Sequence, residues 1–126
     1  WVQHFLLSAG LALAGGRGIA DFIGEAKEVQ DATNKASGFS FTDIAADRAG
    51  VRFAEIATGS VDGARRIQAL LSRPVGEKDI LPKISDLPEG MTAAQFKARY
   101  GERDSAAFKR VIADIDRRIA STPMYR

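Results

Sequence analysis

Apolar residues recur along this chain at the three- and four-residue spacing of α-helices, and no segment alternates apolar and polar residues as a strand does. Clusters of glycine and proline separate the periodic segments. The clearest example of the i, i+3, i+4, i+7 pattern is the set Ile19, Phe22, Ile23 and Ala26. The sequence therefore predicts an all-α fold, a single compact helical domain of about six helices.

The predicted helices cover residues 2–14, 19–32, 40–57, 61–72, 92–100 and 104–121. Segment 73–91 holds three of the four prolines, and proline is costly inside a helix. It is predicted to be one long irregular crossing. The domain, residues 1–126, thus divides into a helical core at 1–72, the crossing at 73–91 and a C-terminal helical pair at 92–126.

Composition limits the function classes. With 45% hydrophobic and 27% charged residues, the chain fits a globular fold rather than disorder. The net charge of +2 is spread among mixed acidic and basic residues, so no nucleic-acid partner is predicted. The absence of cysteine excludes disulfides, thiol nucleophiles and cysteine-based zinc sites. It suits the periplasm and the cytoplasm equally.

The N-terminal run FLLSAGLALAGG spans only residues 5–16, whereas a membrane span needs about 20 apolar residues. It is predicted to be a buried helix. Because the sequence starts at Trp1 rather than Met, we expect a processed or truncated product. A signal or lipid anchor upstream would then provide membrane association.

Helix-start signals explain part of the stretch FSFTDI. Ser40 is a good N-cap, and Asp43 can reach back to it. Phe39 and Ile44 are placed for a hydrophobic staple. The stretch MTAAQF at 91–96 repeats this pattern with Thr92 as the cap. Capping thus accounts for Asp43, but not for an acidic residue beyond the first turn.

That later residue is Asp47. At 100° per residue it shares one helical face with Asp43, Gly50 and Ala54. Small residues and short carboxylates on one face allow a neighbouring backbone to approach closely.

The predicted helix 19–32 has a similar face, formed by Gly24, Glu28 and Asp31. If the two faces meet, four carboxylates share a small space and need a cation, a basic neighbour or protonation. The candidate neutralisers are Lys27, Arg48 and Arg52.

The only histidine is His4, and Ser8 follows it one helical turn later. A histidine in an apolar helix is either a hydrogen-bonded core residue or a base or metal ligand, and spacing alone leaves both open. A serine nucleophile with His4 as its base would still need a third orienting group.

Three ordered elements resemble the YfiM-like bacterial lipoproteins and, more distantly, the VanZ-like proteins. The elements are the pair His4-Phe5, the segment IGEAKEVQDA with Gly24, Glu28 and Asp31, and the segment FSFTDIAADRAG with Ser40, Asp43, Ala46, Asp47 and Gly50. The resemblance covers roughly residues 1–55. It implies a bacterial cell-envelope setting and, through the VanZ-like proteins, a loose link to peptidoglycan. The VanZ-like proteins are multi-span membrane proteins, whereas the later predicted helices of this chain are polar and amphipathic.

One hypothesis is a periplasmic or envelope-associated hydrolase acting on peptidoglycan or a related substrate. Its catalytic residues would be His4, Glu28, Asp31, Asp43 and Asp47, with one carboxylate as general acid or base. Alternatively, His4, Glu28 and Asp47 would hold a divalent metal ion that activates water.

The other hypothesis is a non-enzymatic helical module that binds another envelope component or a membrane surface. Its polar residues would be structural: Asp43 would cap a helix, Asp47 would pair with an arginine, and His4 and Glu28 would form a buried hydrogen-bonded pair.

Overall fold

A computed structural model describes residues 1–15 and 38–126 of the chain. These residues form helices, which confirms the predicted all-α class. The elements are α1 (Val2–Gly15), α2 (Phe41–Gly59), α3 (Val61–Leu71), α4 (Glu77–Ile80), α5 (Ala93–Tyr100), α6 (Ala106–Ser121) and a final 3-10 turn (Pro123–Tyr125). The predicted helix 19–32, and with it Gly24, Lys27, Glu28 and Asp31, lies outside the described residues.

Five of the predicted helices match α1, α2, α3, α5 and α6 to within two residues at each end. The crossing, predicted as wholly irregular, contains the single turn α4. The backbone N–H of Gly76 donates to Asp79 Oδ2 at 2.8 Å and fixes the start of that turn. Four residues are too few to show a helical period.

Both predicted N-caps are present. Ser40 Oγ accepts from the backbone N–H of Asp43 at 3.1 Å. Thr92 and Gln95 cap each other reciprocally, with distances of 3.2 and 2.9 Å. The Asp43 carboxylate instead lies beside α1, so its position is not explained by capping alone.

The two capped helix starts are joined to each other. Phe39 and Met91 exchange both backbone hydrogen bonds, at 2.6 and 3.0 Å. This pairing brings Gly38 against Gly90, where a Cβ on Gly38 would stand 2.7 Å from a backbone carbon. The φ of Gly38, 75°, is also one that residues with a side chain rarely adopt.

Aromatic side chains from α2, α5, α6 and the joined segment form the centre of the core. Ring centroids lie 4.3 to 6.3 Å apart, mostly in tilted or edge-on geometry. The members are Phe39, Phe41, Phe96, Tyr100 and Phe108. This cluster anchors the first turn of α2.

Helix α1 packs along α2, but it is not the buried helix that its apolar sequence predicted. Only Ser8 and Ala9 are buried, while the large apolar residues Trp1, Val2, Leu6, Leu7 and Leu13 are exposed. The face turned to α2 includes His4, Ser8 and Ala9 together with Phe5, whose ring lies 5.7 Å from that of Phe53 between centroids. The exposed leucines lie outside this face. Within residues 1–15 and 38–126, no helix is long and apolar enough to cross a membrane.

The irregular crossing is held to α6 by Arg118. Its guanidinium donates to both carboxylate oxygens of Asp86, at 2.7 and 3.0 Å, and to Asp114 at 2.7 Å. It also donates to the backbone carbonyl of Lys83 at 2.9 Å. The hydrogen bond from Arg118 is the main cause that lowers the pKa of Asp86 from 3.8 to about 2.

This depressed pKa predicts acid sensitivity with a defined sign. A carboxyl group with a lower pKa in the folded state stabilises the fold above its unfolded pKa, here 3.8. That stabilisation is lost as pH falls through about 2. We expect Asp86→Asn to lower the urea midpoint at neutral pH and to flatten its decline between about pH 4 and 2. The measurement is urea unfolding against pH, with the exposed Asp104→Asn as control. An Asp86→Asn profile parallel to that of the wild type would contradict the prediction.

Candidate functional site

The candidate site lies where α1 crosses the first half of α2. Gly50 permits the close approach, because a Cβ there would overlap the Phe5 carbonyl oxygen and would stand 3.1 Å from the Ala9 backbone nitrogen. Asp43 and Asp47 lie on the same side of α2, two turns and one turn before Gly50, respectively. The predicted close-packing face is thus present, and among the described residues its partner is α1.

His4 on α1 lies between the two carboxylates of α2. Its Nδ1 is 3.2 Å from Asp47 Oδ1, and its Nε2 is 3.5 Å from Asp43 Oδ2. The His4 side chain is 20% exposed and that of Asp43 26%, whereas that of Asp47 is only 8% exposed. The imidazole therefore has one nitrogen on a buried carboxylate and the other toward a partly exposed one.

Asp47 receives a second donor from α1. Ser8 Oγ donates to Asp47 Oδ1 at 2.8 Å in a buried hydrogen bond. Among the described residues, the other carboxylate oxygen, Asp47 Oδ2, is buried and has no hydrogen-bond partner. Buried polar atoms are nearly always satisfied, so an exception needs an explanation, such as a catalytic role or an unseen ligand.

The serine is placed differently from a nucleophile activated by histidine. Ser8 and His4 share the acceptor Asp47 Oδ1, and the Ser8 hydroxyl proton is directed at the carboxylate. A nucleophilic serine would instead hydrogen-bond to the imidazole. Ser8 therefore holds the Asp47 carboxylate in place through this hydrogen bond. The sequence signal for this role is the spacing of one helical turn, which puts Ser8 and His4 on the same face of α1.

The prediction that Asp47 pairs with an arginine is wrong for the described residues, because its contacts are His4 and Ser8. Arg48 points to the other side of α2 and binds Asp116 of α6 through two hydrogen bonds, at 2.7 and 2.9 Å. Arg52 contacts Glu55 on the surface. Adjacent positions on a helix face different directions, which explains why Asp47 and Arg48 have separate partners.

The contact distances bear on the tautomer of His4. An ionised Asp47 carboxylate can only accept a hydrogen bond, so it favours the tautomer that carries its proton on Nδ1. In that tautomer Nε2 is the unprotonated nitrogen, on the side of the partly exposed Asp43. The separation from Nε2 to Asp43, 3.5 Å, is longer than a strong charge-assisted hydrogen bond.

For a metal ion, the structure tests only part of the predicted ligand set. Within the described ranges, no group of three or more histidine and carboxylate residues is arranged to hold a metal. His4 and Asp47 are directed at each other, and the third predicted ligand, Glu28, is not among the described residues. The metal hypothesis therefore stays a prediction.

Of the five predicted site residues, His4, Asp43 and Asp47 come together across α1 and α2. Glu28 and Asp31 lie outside the described residues, so their place relative to this cluster stays a prediction. Comparison of the chain with protein-family models, with curated proteins and with solved structures found no significant match.

Proposed function

We propose that the protein is a bacterial cell-envelope hydrolase acting on peptidoglycan or a related envelope substrate, with His4 as general acid–base. The observation that carries the chemistry is the 3.2 Å contact of His4 Nδ1 with the buried Asp47 carboxylate. The envelope setting and the substrate class are supported by the family resemblance of residues 1–55.

In this mechanism Asp47 holds the tautomer in which Nε2 is unprotonated and can act as the base. Nε2 removes a proton from the attacking water and returns it to the leaving group, so that the imidazole is regenerated. The partly exposed Asp43 carboxylate stabilises the imidazolium formed between the two transfers. Ser8 is a positioning residue, because it acts only through Asp47.

A second candidate function, a non-enzymatic binding or structural module of the envelope, is favoured by a different observation. The Ser8–Asp47 hydrogen bond is buried between two helices whose backbones touch at Gly50. Buried polar groups at such a contact fix the relative position of the helices without any chemistry.

Release of soluble fragments from purified peptidoglycan separates the two candidates. Under the hydrolase proposal, His4→Gln and Asp47→Asn lose about 100-fold or more of the activity, because a positioned general base contributes about 10²–10⁴-fold. The control Asp62→Asn alters a carboxylate in the first turn of α3 and should keep full activity. Circular dichroism confirms that each variant is folded.

A chelator arm tests the metal hypothesis in the same assay. Activity that survives the chelator supports acid–base catalysis by the protein alone. Activity that is lost and then restored by a divalent ion supports the metal route through His4 and Asp47. No fragment release by the wild type, with or without added ions, supports the structural module instead.

A further inference from the structure

A cavity of about 660 Å³ lies between the crossing and the end of α6, and none of the residues His4, Asp43 and Asp47 lines it. This volume falls in the range of small-molecule sites. Its wall is mainly apolar and includes Leu81, Pro82, Ile84 and Pro123, with Trp1 also lining the space. Trp1 is half-exposed and is the chain's only tryptophan.

Two lysines give the cavity its charge character. Lys78 and Lys83 line it. Neither ammonium group forms a salt bridge within the described residues, although the charge of Lys83 helps to lower the pKa of Asp86. The third basic group, Arg118, is already engaged by Asp86, Asp114 and a backbone carbonyl. A ligand anion would therefore meet two ammonium groups that are not held in salt bridges, beside an apolar wall.

Two carboxylates restrict the ligand further. Glu77 and Glu89 also line the cavity, and Glu89 Oε2 accepts a hydrogen bond from the buried Thr42 hydroxyl at 3.0 Å. Like charges close together are unfavourable. These residues therefore disfavour a polyanion such as a nucleotide, and a ligand with one negative charge suits the site better.

We propose that this cavity binds an apolar group that carries a single carboxylate. The carboxylate would lie between Lys78 and Lys83, and the apolar part would pack on Leu81, Ile84 and the Trp1 ring. Two sources share this chemistry: a free fatty acid and the carboxyl end of an apolar peptide. This binding site is separate from the acid–base chemistry proposed for His4 and does not depend on it.

The test is calorimetric titration of the full chain with decanoate and with N-acetyl-leucyl-leucine, together with Trp1 fluorescence. The matched uncharged probes are decanamide and N-acetyl-leucyl-leucinamide. We expect one carboxylate probe to bind and to shift Trp1 emission, and its amide to bind at least about tenfold more weakly. The probe that binds identifies the source.

Variants locate the contact. We expect the double variant Lys78→Gln with Lys83→Gln to weaken carboxylate binding about tenfold, because two ammonium contacts are lost. Lys97→Gln, an exposed lysine on α5, is the control and should bind as the wild type does. Absence of binding by both carboxylates, equal binding of acid and amide, or unchanged affinity in the double variant would each overturn the proposal.

Discussion

Gly50→Ala is expected to destabilise the protein by about 1–3 kcal/mol, although alanine is the better helix former. The added methyl group overlaps the Phe5 carbonyl oxygen and crowds the Ala9 backbone nitrogen. Both atoms belong to the backbone of α1, so they cannot move aside as a flexible side chain can. The helix must shift, and the His4 contacts with α2 shift with it. Urea unfolding measures the loss, and hydrogen exchange of α1 amides locates it.

Gly10→Ala is the matched control on α1, since no atom of the described residues lies within 4 Å of a Cβ at Gly10. Only the difference in helix propensity then affects stability, so the free energy of unfolding of this variant should rise by about 0.5–1 kcal/mol. The two substitutions are chemically the same and should have effects of opposite sign. A stabilised Gly50→Ala variant would show that α1 does not cross α2 at this glycine.

His4 and Asp47 are expected to be coupled by about 1–3 kcal/mol in a double-mutant cycle of alanine substitutions. Asp47 is buried and accepts hydrogen bonds from His4 and Ser8. Replacing Asp47 by alanine therefore takes this acceptor away from both donors. Removing His4 leaves the buried carboxylate with one donor fewer. The double variant should therefore lose less stability than the sum of the two single variants.

The pair Arg52 and Glu55 provides the control cycle on the same helix. Its side chains are 45% and 28% exposed and 3.2 Å apart, so the expected coupling is only about 0.2–0.5 kcal/mol. A His4–Asp47 coupling no larger than that of this surface pair would contradict the buried contact on which the site depends.

Local signals predicted much of the fold. The caps at Ser40 and Thr92 can be seen in the sequence because capping depends on residues three apart. The face shared by Asp43, Asp47 and Gly50 follows from helix geometry alone. These features involve neighbours within one or two turns, and the structure places them as predicted.

Pairings between distant segments were not predictable in the same way. Arg48 and Asp116 are separated by 68 residues, and no periodicity links them. The exposure of Leu6, Leu7 and Leu13 was missed because an apolar sequence indicates the tendency to be buried, but not which face meets a partner. The sequence suggested several possible partners for Asp47 but could not choose among them. Among the described residues, the packing of α1 against α2 at Gly50 brings His4 and Ser8 to Asp47.

The most direct measurement of the central claim is fragment release from purified peptidoglycan by the wild type and by folded Asp47→Asn. The variant keeps the size of the side chain but replaces the carboxylate that faces His4 Nδ1 with a neutral amide, whose NH2 group can donate to Nδ1 and favour the other tautomer. We predict release by the wild type and a loss of about 100-fold or more in the variant. Equal release by the two proteins, or none by the wild type, would contradict a general acid–base role for His4.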